Sequence, residues 1–341
     1  MRIIAIANQK GGCGKTTTAI NLAAALASTG KRILLVDCDP QAHATMGLNK
    51  NPSELEMSMY NVITPKEDEC LPLEDVIVSV KDNFDLAPSS VILSAVEQEL
   101  SGLDGREDML LNAIQSVKTA YDYIIIDCPP SIGLLCFNAL RACEEIIIPI
   151  DMSLFSLRGV AKLMELVVLL KDKLDHDIQS RALITMYDYR TRYSRRVLEK
   201  VKDEFGENVF ETVIRYNIRL RETVDYGLPI SDYDKHAIGS KDYEGLAEEV
   251  IRSETDAFSR QKPHAVQIAH DIIQKTGNYI DAVANAPDKE TLAVDTDESD
   301  TSSFSSSYTK MIQAIAADPV SVTSDDDGDE KLFLVGPDQD T

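Results

Sequence analysis

The stretch Lys10-Gly11-Gly12-Cys13-Gly14-Lys15-Thr16-Thr17-Thr18 constrains this chain more than any other. It follows an apolar run, Ile3-Ile4-Ala5-Ile6-Ala7, that reads as a short buried strand. It precedes Ala19 to Ala27, an alanine- and leucine-rich run that reads as a helix. Strand, glycine-rich turn and helix together make the setting of a phosphate-binding loop. The glycines let backbone N–H groups curl around phosphate oxygens with no Cβ in the way. The helix N-terminus adds the positive end of its dipole. In such a loop Lys15 reaches the β- and γ-phosphates and the Thr16 hydroxyl sits on Mg²⁺.

Downstream the chain alternates apolar runs with helical patterns. Lys31 to Asp37, Phe84 to Pro88, Tyr123 to Asp127, Glu145 to Pro149, Ala182 to Met186 and Phe210 to Ile214 read as strands. Residues 106–119, Leu134 to Ala142, Leu157 to Leu174, Ser194 to Phe205 and Asp242 to Arg252 read as helices, with another expected over Ala265 to Ala284. Segment 50–80 is punctuated by proline and gives weak signals. Strands that are apolar throughout, rather than alternating, lie buried on both faces of a parallel sheet. The expected fold class is therefore α/β, with a doubly wound, mainly parallel sheet. Ligands of such sheets bind at the carboxyl ends of the strands, where the glycine loop, Asp37, Asp39 and Asp127 all fall.

Of the net charge of −23, the last 55 residues, from Pro287, hold 14 acidic against 3 basic residues, net −11. Rich in Asp, Ser and Thr and poor in aromatics, they read as a disordered acidic tail. Half the acidity thus says little about any one face of the remainder. A uniformly acidic protein would repel nucleic acid. No apolar run is long enough to span a membrane, and the chain passes from Met1-Arg2 straight into a strand with no signal peptide, so a cytoplasmic protein is expected. The six cysteines form no C-x-x-C pair, which argues against a zinc or dithiol centre.

The loop is not an ordinary Walker A: Gln9 holds the position of its first glycine, and Lys10 stands just after it. The K-G-G-x-G-K-T form resembles the deviant Walker A motif of the ParA/MinD family. Asp37-Cys38-Asp39-Pro40-Gln41 resembles that family's first switch, and Asp127-Cys128-Pro129-Pro130-Ser131 its second. Leu183 to Thr191, Val209 to Ile214, Asn217 to Leu220, and Tyr226-Gly227-Leu228-Pro229 continue the similarity, which covers roughly residues 1–252 and points to the chromosome- and plasmid-partitioning branch. It implies a P-loop NTPase of the SIMIBI type over 1–252, followed by a helical extension (253–286) and the tail (287–341). No DNA-reading helix-turn-helix module is expected ahead of the loop.

The resemblance also implies roles. Gly11, Gly12, Cys13, Gly14, Lys15, Thr16 and Thr17 bind the nucleotide phosphates, and Met186 and Arg215 flank the base. Lys10 crosses a dimer interface to the partner's nucleotide, and Lys10, Lys15 and Asp39 are catalytic, with Asp39 orienting the attacking water. Thr16, Asp37 and Asp127 serve Mg²⁺. Relatives hydrolyse ATP, dimerise around it, bind DNA without sequence preference in that state, and are stimulated by ParB; nucleoid association follows from that. Arg190 and Arg219 match arginines of the family's DNA face, with Arg192, Arg195, Arg196, Arg215 and Arg221 close by in sequence. The cargo stays open between a DNA origin and a protein cluster, as does a switch that binds ATP but no DNA. This chain departs from the pattern at Arg215, where relatives have proline, and at Thr223-Val224, where they have Ala-Pro. Cys13, Cys38 and Cys128 lie inside nucleotide motifs, either as small fillers or as sensitive thiols. The acidic tail does not resemble the basic membrane helix of some relatives, so no membrane partner is expected; its Leu332-Phe333-Leu334-Val335 patch suits a docking peptide or a solubilising tail.

Overall fold

The computed structural model describes residues 1–153 and 156–257. Seven strands form one sheet: β1 (Arg2–Ile6), β2 (Ile33–Asp37), β3 (Val78–Lys81), β4 (Phe84–Ala87), β5 (Tyr123–Asp127), β6 (Glu145–Ile150) and β7 (Gln179–Ile184). Their spatial order is β3-β4-β2-β5-β1-β6-β7, and every pair is parallel except β3 with β4. From β1 the chain winds first to one side, towards β2, and later to the other, through β6 and β7. The loop after β1 therefore opens at the switch point, where neighbouring connections part and leave a crevice.

The strands owe their place to burial on both faces. All five residues of β2 and of β5 are buried. Ile4, Ile6, Leu35 and Ile125 pack into one core with the helix α1 (Lys15–Ser28) and the helix Ile238–Ala257. Ile3, Leu34, Ile124 and Ile126 point the other way and are equally buried; on this side the Leu134–Ala142 helix lies against β1. Alanine has the highest helix propensity and the smallest side chain that still gives a defined helix. Ala19, Ala23, Ala24 and Ala27 therefore let α1 sit close to the sheet and to its neighbour helix, with Leu22 and Leu26 filling the rest.

The strand expected at Phe210–Ile214 does not form. The segment runs beside β7 and touches it through an isolated bridge, Ala182 with Val209, and through single bonds such as Phe210 N to Ala182 O (2.9 Å). The physical reason lies in its other amides. Glu211 N and Thr212 N donate to the two carboxylate oxygens of Glu249, at 2.9 and 3.0 Å, and Arg215 N donates to Asp242 Oδ2 at 2.9 Å. Side chains of the Ile238–Ala257 helix thus take the bonds a ladder would use. β7 also ends at Ile184, before Met186, whose φ of +54° leaves the extended region. The weak 50–80 segment holds two helical turns (Met59–Ile63, Leu73–Val76) and the short antiparallel edge strand β3. Helices Arg219–Tyr226 and Ile230–Tyr233 follow, and the last helix begins at Ile238 and runs beyond residue 252, where the domain was expected to end. The helix expected over Ala265 to Ala284 and the acidic tail lie outside the described residues.

Candidate nucleotide site

Asn8 fixes the start of the loop. Its Nδ2 donates to Pro149 O at 2.7 Å on β6, and its Oδ1 accepts from Lys10 N at 3.1 Å. Gly12 (φ +73°) and Gly14 (φ +91°) take left-handed backbone conformations that a side chain would strain. Gly14 is the N-cap of α1, which has no side-chain cap, so the first helical amides face into the loop. Lys15 is buried there, its Nζ donating to Lys10 O at 3.1 Å. Thr185 Oγ1 donates to Cys13 O at 2.8 Å and ties the loop to the end of β7.

The acids converge on this loop because adjacent parallel strands end together. Asp37 and Asp127 are register partners on β2 and β5, and both are fully buried. Asp37 is held: Oδ2 accepts from Thr45 N (2.9 Å) and Thr45 Oγ1 (2.7 Å), and Oδ1 from Asp39 N (3.1 Å). Burial still pushes its carboxyl up to about 6. Asp127 is not held; both of its oxygens are buried without a hydrogen-bond partner. Burial, then the charge of Asp37, raise its pKa well above the usual carboxylate range; the Asp39 charge adds to the rise, and the Thr16 hydroxyl and Lys15 oppose it without cancelling it. Free carboxylates ionise near about 4, so the folded apoprotein loses stability as pH rises from about 4 through about 6, where Asp37 gives up its proton. A divalent cation reverses the sign, because it favours the charged forms. Asp39 turns away from Asp37 after the strand ends, its Oδ1 accepting from Gln41 N at 2.9 Å and its carbonyl from Ser89 Oγ at 2.7 Å.

Lys10 points across the loop. Its Nζ donates to Asp151 Oδ1 (2.8 Å) and Oδ2 (2.6 Å), at the end of β6, and to Ser153 Oγ.

A family model described as an AAA domain matches residues 1–180. The sporulation initiation inhibitor protein Soj of Bacillus subtilis is 42% identical over 250 residues, which cover 73% of this chain and 98% of Soj. The chromosome partitioning protein ParA of Myxococcus xanthus is 38% identical, over 76% of this chain and 92% of its own. This chain belongs to the ParA/MinD family. Among solved structures, a cobyrinic acid a,c-diamide synthase from Mycobacterium smegmatis, crystallised with an ATP analogue and magnesium, has a TM-score of 0.66 and 30% identity. The match covers 77% of this chain and 99% of that one. The partition relatives and a synthase thus share one P-loop NTPase framework.

The other residues expected from the ParA/MinD resemblance fall in two places. Met186 and Arg215 line a pocket with Gly14 and Thr17, beside the loop. Arg215 is braced there: its Nε donates to both oxygens of Asp242 (3.0 and 3.1 Å) and its terminal nitrogen to Oδ1. The acid that receives it, Asp242, is buried and belongs to the last helix. Arg190 and Arg219 are exposed and paired within the chain, with Asp188 (2.9 and 2.8 Å) and Glu222 (2.8 Å). Such solvent-screened pairs are weak, and a phosphate can replace the carboxylate. Cys13, Cys38 and Cys128 are buried, and burial raises each thiol's pKa, the opposite of a reactive thiolate. They are small fillers behind the loop and the acids.

Asn8, Thr45, Ser89, Asp151 and Thr185 escaped the sequence reading. Asp151 and Thr185 carried a signal: each directly follows the apolar end of a strand, β6 and β7 respectively, so its side chain falls at the same sheet edge as the loop.

Proposed function

We propose that this chain is an ATP hydrolase that dimerises around ATP and Mg²⁺. In that state it binds duplex DNA without sequence preference, and it thereby partitions or positions a chromosomal or plasmid cargo on the nucleoid, in the cytoplasm. A ParB-like partner stimulates hydrolysis. The observation that carries the reading is the Asp127 carboxylate, buried and unpartnered beside a glycine loop whose helix has no cap. A buried charge with no partner is costly unless something binds it, and the loop beside it is shaped for phosphates.

Thr16, Asp37 and Asp127 are the residues that would hold Mg²⁺; when bound, the ion neutralises charge on the β- and γ-phosphate oxygens. The amides of Gly11 to Thr17 cradle the phosphates, Lys15 neutralises them, and Met186 and Arg215 flank the base. Asp39, engaged at Oδ1, orients the water with Oδ2. Lys10 leaves Asp151 to reach the partner's nucleotide. Arg190 and Arg219 meet DNA phosphates. The Soj and ParA relatives support partitioning as the task.

The test is binding to non-specific duplex DNA with ATP and with ADP, at low and moderate salt. Wild type is expected to bind with ATP only, and more weakly as salt rises in proportion to the phosphates met. Lys10→Ala is expected to keep ATP binding and lose both the dimer and the DNA. ATP-driven dimerisation with no DNA binding at any salt would replace this reading with a switch that acts on proteins, which the net charge of −23 would favour.

Protonated carboxylates are poor metal ligands. Affinity for Mg²⁺-nucleotide is therefore expected to weaken as pH falls through about 6, where Asp37 takes up its proton. Titration calorimetry between about pH 5 and about pH 8 checks this; a flat profile would remove Asp37 from the metal's surroundings.

A further inference from the structure

The four most exposed tyrosines among the described residues, Tyr189, Tyr193, Tyr216 and Tyr226, all lie in the two segments that carry the arginines. Tyr226 is stacked on Tyr233, with ring centroids 4.9 Å apart. The other three are 68, 44 and 50% exposed; Tyr189 and Tyr193 flank Arg190 and Arg192 in the chain, and Tyr216 follows Arg215. The two segments form one surface. Tyr187 N donates to Ile214 O and Tyr216 N to Tyr187 O, each at 3.0 Å, and Tyr187 bridges to Arg215. The Arg221 guanidinium sits 5.4 Å from the Tyr216 ring centroid, a cation–π contact that orients the ring.

We propose that this face is also a stacking site for unpaired nucleobases, so that it takes single-stranded DNA by its bases as well as by its phosphates. The inference rests on the reading of the arginines as a nucleic-acid face. Phosphate contact needs cations alone and explains the arginines. It does not explain why aromatic rings are left in solvent between them. In a duplex the base faces are stacked on each other and closed to protein. In a single strand each base offers a π-face, and rings set among cations are the common platform for it. Arginines and tyrosines therefore divide the work: the first hold either form of DNA, the second only the unpaired one.

The test uses the full chain with ATP, a labelled oligo-dT and a mixed-sequence duplex of equal length. The combined Tyr189→Ala, Tyr193→Ala, Tyr216→Ala variant is expected to lose at least about tenfold in oligo-dT affinity and less than about threefold in duplex affinity. The corresponding Phe variant keeps the rings and should bind both as wild type does. The chain has no tryptophan, so quenching of tyrosine emission by oligo-dT reports stacking directly. All three rings are exposed, so the variants should fold. Unchanged oligo-dT binding in the Ala variant, or an equal loss for both DNAs, would overturn the stacking site. Wild-type binding of both DNAs by Arg190→Glu plus Arg219→Glu would instead remove the nucleic-acid face, and the stacking site with it.

Discussion

An Asp39→Ala variant should bind ATP as wild type does and turn it over about 10²–10⁴-fold more slowly, the range for losing a group that positions or deprotonates the attacking water. The geometry explains why the two effects separate. Asp39 lies beyond the end of β2 and makes no hydrogen bond to the glycine loop; its side chain accepts from Gln41 N, and its carbonyl from Ser89 Oγ and Ala42 N. The carbonyl bonds survive the substitution, so the switch backbone keeps its course. Asp37, two residues earlier at the end of β2, is different: its Oδ2 accepts from both the amide and the hydroxyl of Thr45, and its removal should cost stability as well. Single-turnover hydrolysis with nucleotide binding measured in parallel decides the matter. Near-normal turnover would pass the water-orienting role to another residue, and lost ATP affinity would make Asp39 part of the binding surface instead.

The largest expected loss of stability is at Glu249. Its carboxylate receives Arg181 at 2.9 Å and the amides of Glu211 and Thr212, with both side chains of the ion pair about nine-tenths buried. Glu249→Ala leaves a buried guanidinium and two amides without their acceptor, and breaking such pairs costs about 3–5 kcal/mol. The negative charge of Glu145, which also bears on Arg181, and the Phe210 ring 3.5 Å beneath the guanidinium, moderate the loss towards the lower end. Urea unfolding should show the midpoint falling with little change in slope. Replacing Arg181 and Glu249 together by Met and Leu should recover part of the loss, because two apolar side chains leave no buried charge behind. A drop below about 1 kcal/mol would mean that water reaches the pair in solution.

The Glu249 cluster also shows where reading the sequence reaches its limit. β5 and the Leu134–Ala142 helix were legible to the residue, because an unbroken apolar run and a 3.6-residue pattern each have one stable outcome. The glycine loop, Asp37, Asp39 and Asp127 were legible because strand ends in a parallel sheet share an edge. Phe210–Ile214, Phe-Glu-Thr-Val-Ile, carries an aromatic and β-branched strand signal and forms no strand, because its Glu211 and Thr212 amides are claimed by Glu249, 38 and 37 residues later. Local pattern holds no trace of that competition. The bracing of Arg215 is illegible for the same reason: its partner Asp242 stands 27 residues later, on the last helix. Asn8 and Thr45 are single polar residues whose bonds to Pro149 and Asp37 depend on neighbours brought in by the fold.

The two margins of the sheet have a consequence for how copies of this chain can meet. Open strands invite pairing with another molecule, and proteins blunt them. Here one margin closes with β3, four residues long, antiparallel and irregular in register. The other closes with the segment after β7, whose outward amides are consumed by carboxylates. Neither side offers a clean row of donors and acceptors, so sheet-to-sheet growth is disfavoured at both. Under the proposed ATP-governed dimerisation, self-association is left to other surfaces, whose availability a small molecule governs, so that copies can meet and part without drifting into fibres.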